Sequence, residues 1–312
     1  MTVIPDLHLR EALAETAEKL LDRHIETAQE WHPHTYIPWS AAADFPEGYE
    51  WSPEEANVPS AVRSALFVNV LTEDNLPYYF RDIERMMGRE GAWGEWVRRW
   101  TAEEGRHGIV INGYLMATRS LDPVELERGR MAQVQSGQVP EPPSLTEGLA
   151  YVTLQELATR ISHFNTGNML DDPAGKAVMR RVAADENLHY LFYRDAMQAI
   201  FEIDPSAAVI AVNKQVQEFK MPGTGIPGFA AHAKAIAEAG IYDFAIHHDK
   251  ILKPVVLRDW AIESIEGLSP EAEEAREALV TQIGRIGMLG HRLAERRQKR
   301  AAAQSDREPV SA

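Results

Sequence analysis

Apolar residues recur every three to four positions along most of the chain, the spacing that gives an α-helix one buried face. These runs predict helices over 7–29, 59–87, 92–119, 122–137, 145–170, 173–202, 205–218, 228–239, 243–264 and 270–299. Strand-like alternation is essentially absent. Asp122-Pro123, Asp172-Pro173 and Asp204-Pro205 each put a good N-cap before a proline, whose missing N–H has no helical partner in a first turn. Ser144 with Glu147 has capping-box spacing, and Ser269-Pro270-Glu271 opens a further helix. The stretch 31–57, rich in Trp, Pro, Tyr and His, reads as ordered loop, and 219–227 as a connection. One all-α domain over 1–300 is expected, followed by a disordered tail over 301–312.

Four of the apolar stripes carry ionisable residues where the helical period puts core. One runs Trp93, Trp96, Val97, Trp100, then Glu104 and His107, then Ile111 and Leu115. Another runs Val178, Val182, Glu186, His189, Tyr193, Met197. The remaining two are Val62, Leu66, Val70, Glu73, Leu76, Phe80 and Leu149, Val152, Glu156, Thr159. A Glu-x-x-His pair arises about once by chance in a chain of this make-up. Here two occur, and Glu73 lies 31 residues before Glu104 as Glu156 lies 30 before Glu186. The resulting order, Glu, Glu-x-x-His, Glu, Glu-x-x-His, is the ligand set of ferritin-like di-metal carboxylate bundles. Four convergent buried carboxylates require compensating cations, and an oxygen and imidazole donor set suits iron or manganese. By the pseudo-symmetry of four helices, Glu104 and Glu186 are expected to bridge two ions. Glu73 with His107, and Glu156 with His189, would then be terminal. Glu103 and Asp185, each preceding a pair, are candidate acceptors for the imidazole of the opposite half. Pro77 cannot donate to the Glu73 carbonyl, so a kink is expected at that ligand.

Composition narrows the setting. The 312 residues include no Cys, which excludes a disulfide framework and thiolate metal sites. No apolar stretch approaches a membrane span, and Met1 to Asp6 lacks a signal pattern, so a soluble, cytoplasmic protein is expected. A net charge of −15 argues against nucleic acid as a partner.

Longer strings around these ligands resemble the soluble acyl-acyl-carrier-protein desaturases of plants and bacteria, and most the actinobacterial branch. They are Leu71-Thr72-Glu73-Asp74-Asn75-Leu76-Pro77, Trp100-Thr101-Ala102-Glu103-Glu104-Gly105-Arg106-His107-Gly108 and Gln155-Glu156-Leu157-Ala158-Thr159. Ile161-Ser162-His163, Asn165-Thr166 and Ala184-Asp185-Glu186-Asn187-Leu188-His189 extend the match, which runs from about residue 6 to 260. Gly105 replaces the family's usual Asn, and Leu188 a basic residue common in plant members; neither change removes a ligand. The resemblance implies a ferritin-like four-helix bundle with additional helices, holding two iron ions. It also implies insertion of a cis double bond into a fatty acyl chain on acyl carrier protein, using O2 and electrons from ferredoxin, in a homodimer. Thr159 matches the family's hydroxyl beside the metals, and Trp31 a position on an electron path to them.

Two other readings share the ligand spacing: a ribonucleotide reductase small-subunit-like oxidase, and a non-catalytic iron-binding protein. Against the first, the tail after Ala301 has no aromatic anchor. For the acyl chain, Trp100, Ile111, Tyr114 and Met87 are expected channel walls. Because acyl carrier protein and ferredoxin are typically acidic, docking needs a local basic patch. Arg81, Arg85 and Arg89, four residues apart, are the candidates.

Overall fold

A computed structural model describes residues 6–305 except 57 and 224, with the side chains of 301–305 undescribed. Its first half contains α1 (Asp6–Ala12), α2 (Ala14–Thr27), α3 (Ser60–Glu73), α4 (Leu76–Met87), α5 (Gly91–Thr118) and α6 (Pro123–Ser136). The second contains α7 (Leu145–Asn168), α8 (Pro173–Ile203), α9 (Pro205–Glu218), α10 (Phe229–Glu238), α11 (Phe244–His247) and α12 (Pro270–Ser305). Among the described residues there is no strand.

Helices α3, α5, α7 and α8 close a four-helix ring, each touching two others, and α7 with α8 is the most extensive pairing. Around it, α2 lies on α5 and α8, α4 on α5 and α7, α9 on α7 and α8, and α10 on α3. The buried apolar residues fall into two clusters. One takes Trp93 to Trp100 of α5 and Tyr190 to Phe201 of α8. The other takes Val110 to Ala117 of α5 and Val178 to Val182 of α8. Between them, at the level of Glu104, His107, Glu186 and His189, the bundle has a polar waist.

The predicted starts are built as expected. Asp122 accepts from Val124 N–H at 2.8 Å, Asp172 from Gly175 at 2.8 Å and Asp204 from Ala207 at 2.9 Å. Ser144 accepts from Glu147 N–H at 3.2 Å, but the box is only half made. The Glu147 carboxylate turns instead to Lys214 and Gln215 of α9.

The differences have local causes. The helix expected over 7–29 divides at Leu13, and the one over 59–87 breaks fully rather than kinking. Glu73 ends α3, and Pro77 falls in the first turn of α4, where it costs no hydrogen bond. Thr118 ends α5 through Arg119 in the left-handed region, φ 50°, a cap without glycine. The segment expected as one helix over 243–264 is α11, a π-helix over His248–Asp259 containing Pro254, and a 3₁₀ turn at Ile262–Ser264. The wider π repeat persists to its end, where Trp260 N–H reaches the Val255 carbonyl at 2.9 Å. The 31–57 stretch carries three 3₁₀ turns and is tied to the bundle by Trp51 Nε1 on the Arg119 carbonyl, 2.8 Å. Where disorder was expected from Ala301, α12 continues to Ser305; residues 306–312 lie outside the described chain.

Candidate metal centre

The last residue of α3, Glu73, faces the middle of α5, which supplies Glu104 and His107. From the other side α7 supplies Glu156, and α8 supplies Glu186 and His189. All six side chains are buried and fall into two overlapping groups, each with its ligand-capable atoms within 4.8 Å of one another. One group is Glu73, Glu104, His107 and Glu186; the other is Glu104, Glu156, Glu186 and His189. Glu104 and Glu186 therefore stand in both.

The two imidazoles present their Nδ1 atoms to these carboxylates. His107 Nδ1 lies 3.4 Å from Glu104, 3.5 Å from Glu186 and 3.7 Å from Glu73. His189 Nδ1 lies 2.8 Å from Glu104 and 3.6 Å from Glu156. Close as they are, neither Nδ1 makes an aligned hydrogen bond, nor do Glu104 Oε1 and Glu156 Oε2. Buried polar atoms are rarely left so, and four of them turned towards one another suit two bound cations. The residues present thus fit a pair of ions held by nitrogen and oxygen.

The local field carries the same sign. Burial alone would lower the His107 and His189 pKa, but the carboxylates around them raise both well above the ordinary imidazole value. For Glu156, burial and then the Glu186 charge push the carboxyl well above its usual range. Burial would also raise Glu73, yet the neighbouring His107 imidazole and the hydrogen bond with His163 hold it below.

Outside this group the wiring crosses between the halves. Glu103, from α5, accepts from His189 Nε2 at 3.0 Å, and also from His24 at 2.9 Å and Arg99 Nε at 2.7 Å. Asp185, from α8, faces His107 Nε2 at 3.5 Å and accepts from Trp31 Nε1 at 2.7 Å and Arg106 at 3.2 Å. Arg181 also pairs with Asp185, and the Arg106 guanidinium stacks over Trp31, 4.8 Å from its ring centre. Burial would raise Asp185, but His107 and Arg181 outweigh it and hold its pKa down at about 2. Thr159 Oγ1 donates to Glu186 at 3.1 Å, and Trp100 Nε1 to Glu156 at 3.2 Å.

Three contributors were not assigned from the sequence. His163 donates to Glu73 Oε1 at 3.0 Å, His24 shares Glu103 with His189, and Arg106 reaches both Asp185 and, at 3.5 Å, Glu103. A lone His or Arg has no spacing signal, although the Ser162-His163 string was part of the resemblance.

A cavity abuts the centre, walled by Glu73, Glu104, Glu156, Glu186 and Thr159 and by apolar side chains including Ile83, Met86 and Tyr151. Of the four expected channel residues, only Trp100 lines it. Ile111 and Tyr114 pack in the apolar cluster beyond the waist, and Met87, a 100° step from Met86 on α4, faces the core. Arg81, Arg85 and Arg89 do share one surface groove, but among acids. Arg81 pairs with Asp82 and Glu141, Arg89 pairs with Glu84, and Arg85 stands 4.0 Å from Asp82. Among the described residues no helix is long and apolar enough to cross a membrane.

The chain is similar to known proteins over most of its length. The fatty acid desaturase family model matches residues 6–310. DesA1 of Mycobacterium tuberculosis, named as a candidate acyl-[acyl-carrier-protein] desaturase, is 43% identical over 278 residues, covering 86% of this chain and 82% of its own. The chloroplastic stearoyl-[acyl-carrier-protein] 9-desaturase of Spinacia oleracea is 30% identical over 303 residues, covering 90% and 75%. The crystal structure of DesA2 from M. tuberculosis superposes with a TM-score of 0.68 at 22% identity, covering 86% of this chain and 99% of that one, a likeness of fold. This chain belongs to the fatty acid desaturase family, with the acyl-[acyl-carrier-protein] desaturases, and is an oxidoreductase.

Proposed function

We propose that this chain inserts a cis double bond into a saturated fatty acyl chain delivered on acyl carrier protein. The observation that carries the reading is the opening of two unpaired-donor ligand groups onto an apolar cavity. Glu73 and His107 would hold one iron and Glu156 and His189 the other, with Glu104 and Glu186 shared between them. A bound iron pair supplies, with O2, the oxidising power to break an unactivated C–H bond. The reaction consumes two hydrogens of the acyl chain, two further electrons and two protons per O2, leaving two waters. Tyr151, Met86 and Ile83 hold the chain beside the centre and exclude water from it. Thr159, on the cavity wall and bonded to Glu186, holds a proton at Oγ1 within reach of the centre.

Electrons would enter through Trp31, whose Nε1–Asp185 contact leads on to His107. The donor is a ferredoxin-type protein. With a net charge of −15, long-range attraction cannot recruit two acidic partners, so docking falls to a local patch such as the Arg81, Arg85 and Arg89 groove. A homodimer working in the cytoplasm completes the reading.

Iron-reconstituted protein, given C16 or C18 acyl carrier protein, O2, ferredoxin and its reductase, should yield a monounsaturated acid by mass spectrometry and bind about two irons per chain. One iron or none, or a His107→Ala variant with full iron and turnover, would refute the proposal.

A further inference from the structure

Two histidines and an aspartate meet where α12 passes the start of the π-helix, and nothing in the desaturation chemistry uses them. His248 Nδ1 donates to Asp249 Oδ1 at 2.7 Å. His291 Nε2, 42 residues further on, lies 2.9 Å from Asp249 Oδ2 and 3.1 Å from Oδ1. The two rings stand edge to face with centres 5.5 Å apart. We propose that His248, Asp249 and His291 form a surface site for a zinc-class divalent cation, which staples α12 to the π-helix.

The donor set is the first argument. Two imidazole nitrogens and one carboxylate oxygen make a borderline ligand trio of the kind that takes zinc with a water in the fourth position. Metal–ligand bonds of about 2.0–2.2 Å in a tetrahedron set ligand atoms roughly 3.3–3.5 Å apart. The three ligand-capable atoms already lie within 4.8 Å of one another, and their hydrogen-bonded spacings of 2.7 and 2.9 Å need open by roughly 0.4–0.8 Å. The His291 and Asp249 side chains are 50% and 45% exposed, so they can make that adjustment, and the fourth position faces water.

The backbone around the trio is built for close approach. A Cβ at Gly287, one turn before His291, would sit 2.7 Å from His248 Nε2. One at Gly290 would sit 2.4 Å from the Ala245 nitrogen. Only because both positions lack a side chain can α12 lie against α11 and bring His291 to Asp249. An Arg297–Asp243 ion pair holds the same two elements together further along α12. Two ligands adjacent in sequence with a third on another helix is the arrangement in which an ion cross-links rather than decorates a surface.

The test uses iron-loaded protein, so that the buried centre is filled, titrated with zinc sulfate against a chelating indicator and then gel-filtered for elemental analysis. Wild type should retain one zinc per chain with its iron unchanged, and zinc should slow proteolysis of α12. His291→Ala and Asp249→Asn, both at exposed positions, should lose the zinc and the protection while keeping iron. Anomalous diffraction at the zinc edge should place the ion among the three side chains. Equal zinc retention in wild type and His291→Ala, zinc uptake matched by iron loss, or no retained zinc would each overturn the proposal and leave a hydrogen-bonded trio only.

Discussion

Replacing Glu103 by glutamine leaves the shape of the side chain almost unchanged and removes the negative charge that His24, His189, Arg99 and Arg106 all face. The side chain is buried, as are the His24 and His189 rings against it, while Arg99 and Arg106 keep partial contact with water. Breaking a buried charge pair from one side costs about 3–5 kcal/mol. With an unfolding entropy of about 2.1 cal/mol/K per residue, a chain of 312 residues has roughly 0.65 kcal/mol/K, so Tm should fall by about 5–8 °C. The more telling effect is on metal. Glu103 sits one residue before Glu104 on α5, yet the imidazole it supports is that of His189 on α8. Loss of such an acceptor lowers metal affinity about 10–100-fold. Chelator competition on iron-loaded Glu103→Gln should therefore strip one iron well before the other. Anomalous diffraction at the iron edge should then show the remaining ion beside His107. Unchanged Tm, simultaneous loss of both irons, or loss from the His107 side first would refute the crossed wiring.

Asp185→Asn should be less stable than wild type by about 2 kcal/mol above pH 4, the worth of a carboxyl held at about 2 instead of 3.8. Because the folded pKa is the lower one, that difference should shrink as pH falls through 2; a gap that widens in acid in urea titrations would contradict the assignment. Gly148→Ala would bring a Cβ within 2.1 Å of Met86 Sδ and drive that flexible side chain into the cavity it lines. Stability should fall by about 1–3 kcal/mol, iron should stay, and product analysis should show preference for a shorter acyl chain; an unchanged product profile would detach Met86 from the channel. Charge reversal of Arg85 and Arg89 together should raise the KM for acyl carrier protein at low salt with iron content intact, and an unaltered KM would move docking to another surface.

The ligand helices were legible because burial and chemistry share one period: an acid or imidazole on an apolar stripe stands out against the residues three and four positions away. The Glu73 break was only half legible. Pro77 announces a disturbance, but whether a helix bends or restarts depends on what packs beyond it, and here α4 turns to lie on α5 and α7. The π-helix left no trace, since a repeat stretched by one residue keeps the same residues apolar on average. His163 and His24 were invisible as site residues for a related reason. Each is a single side chain whose partner lies 90 and 79 residues away, so no local spacing encodes the pair. Ile111, Tyr114 and Met87 fall outside the cavity that Trp100 lines because helical phase names the buried face but not which buried residues border empty space.

Both ligand groups take members from either side of the connection between α6 and α7. Three of one group come from before it and one from after; in the other the proportions reverse. The acceptors Glu103 and Asp185 cross the same seam. A polypeptide cut in that connection would give two fragments, neither with a complete set of donors for even one ion. Iron capture would then become a gauge of complementation: fragments mixed without metal would associate through apolar surface and these crossed hydrogen bonds, and ions would lock the reassembled pair. In the intact chain the stabilisation gained on loading would be concentrated at that seam, so separation of the two halves is the motion that bound iron should suppress most strongly.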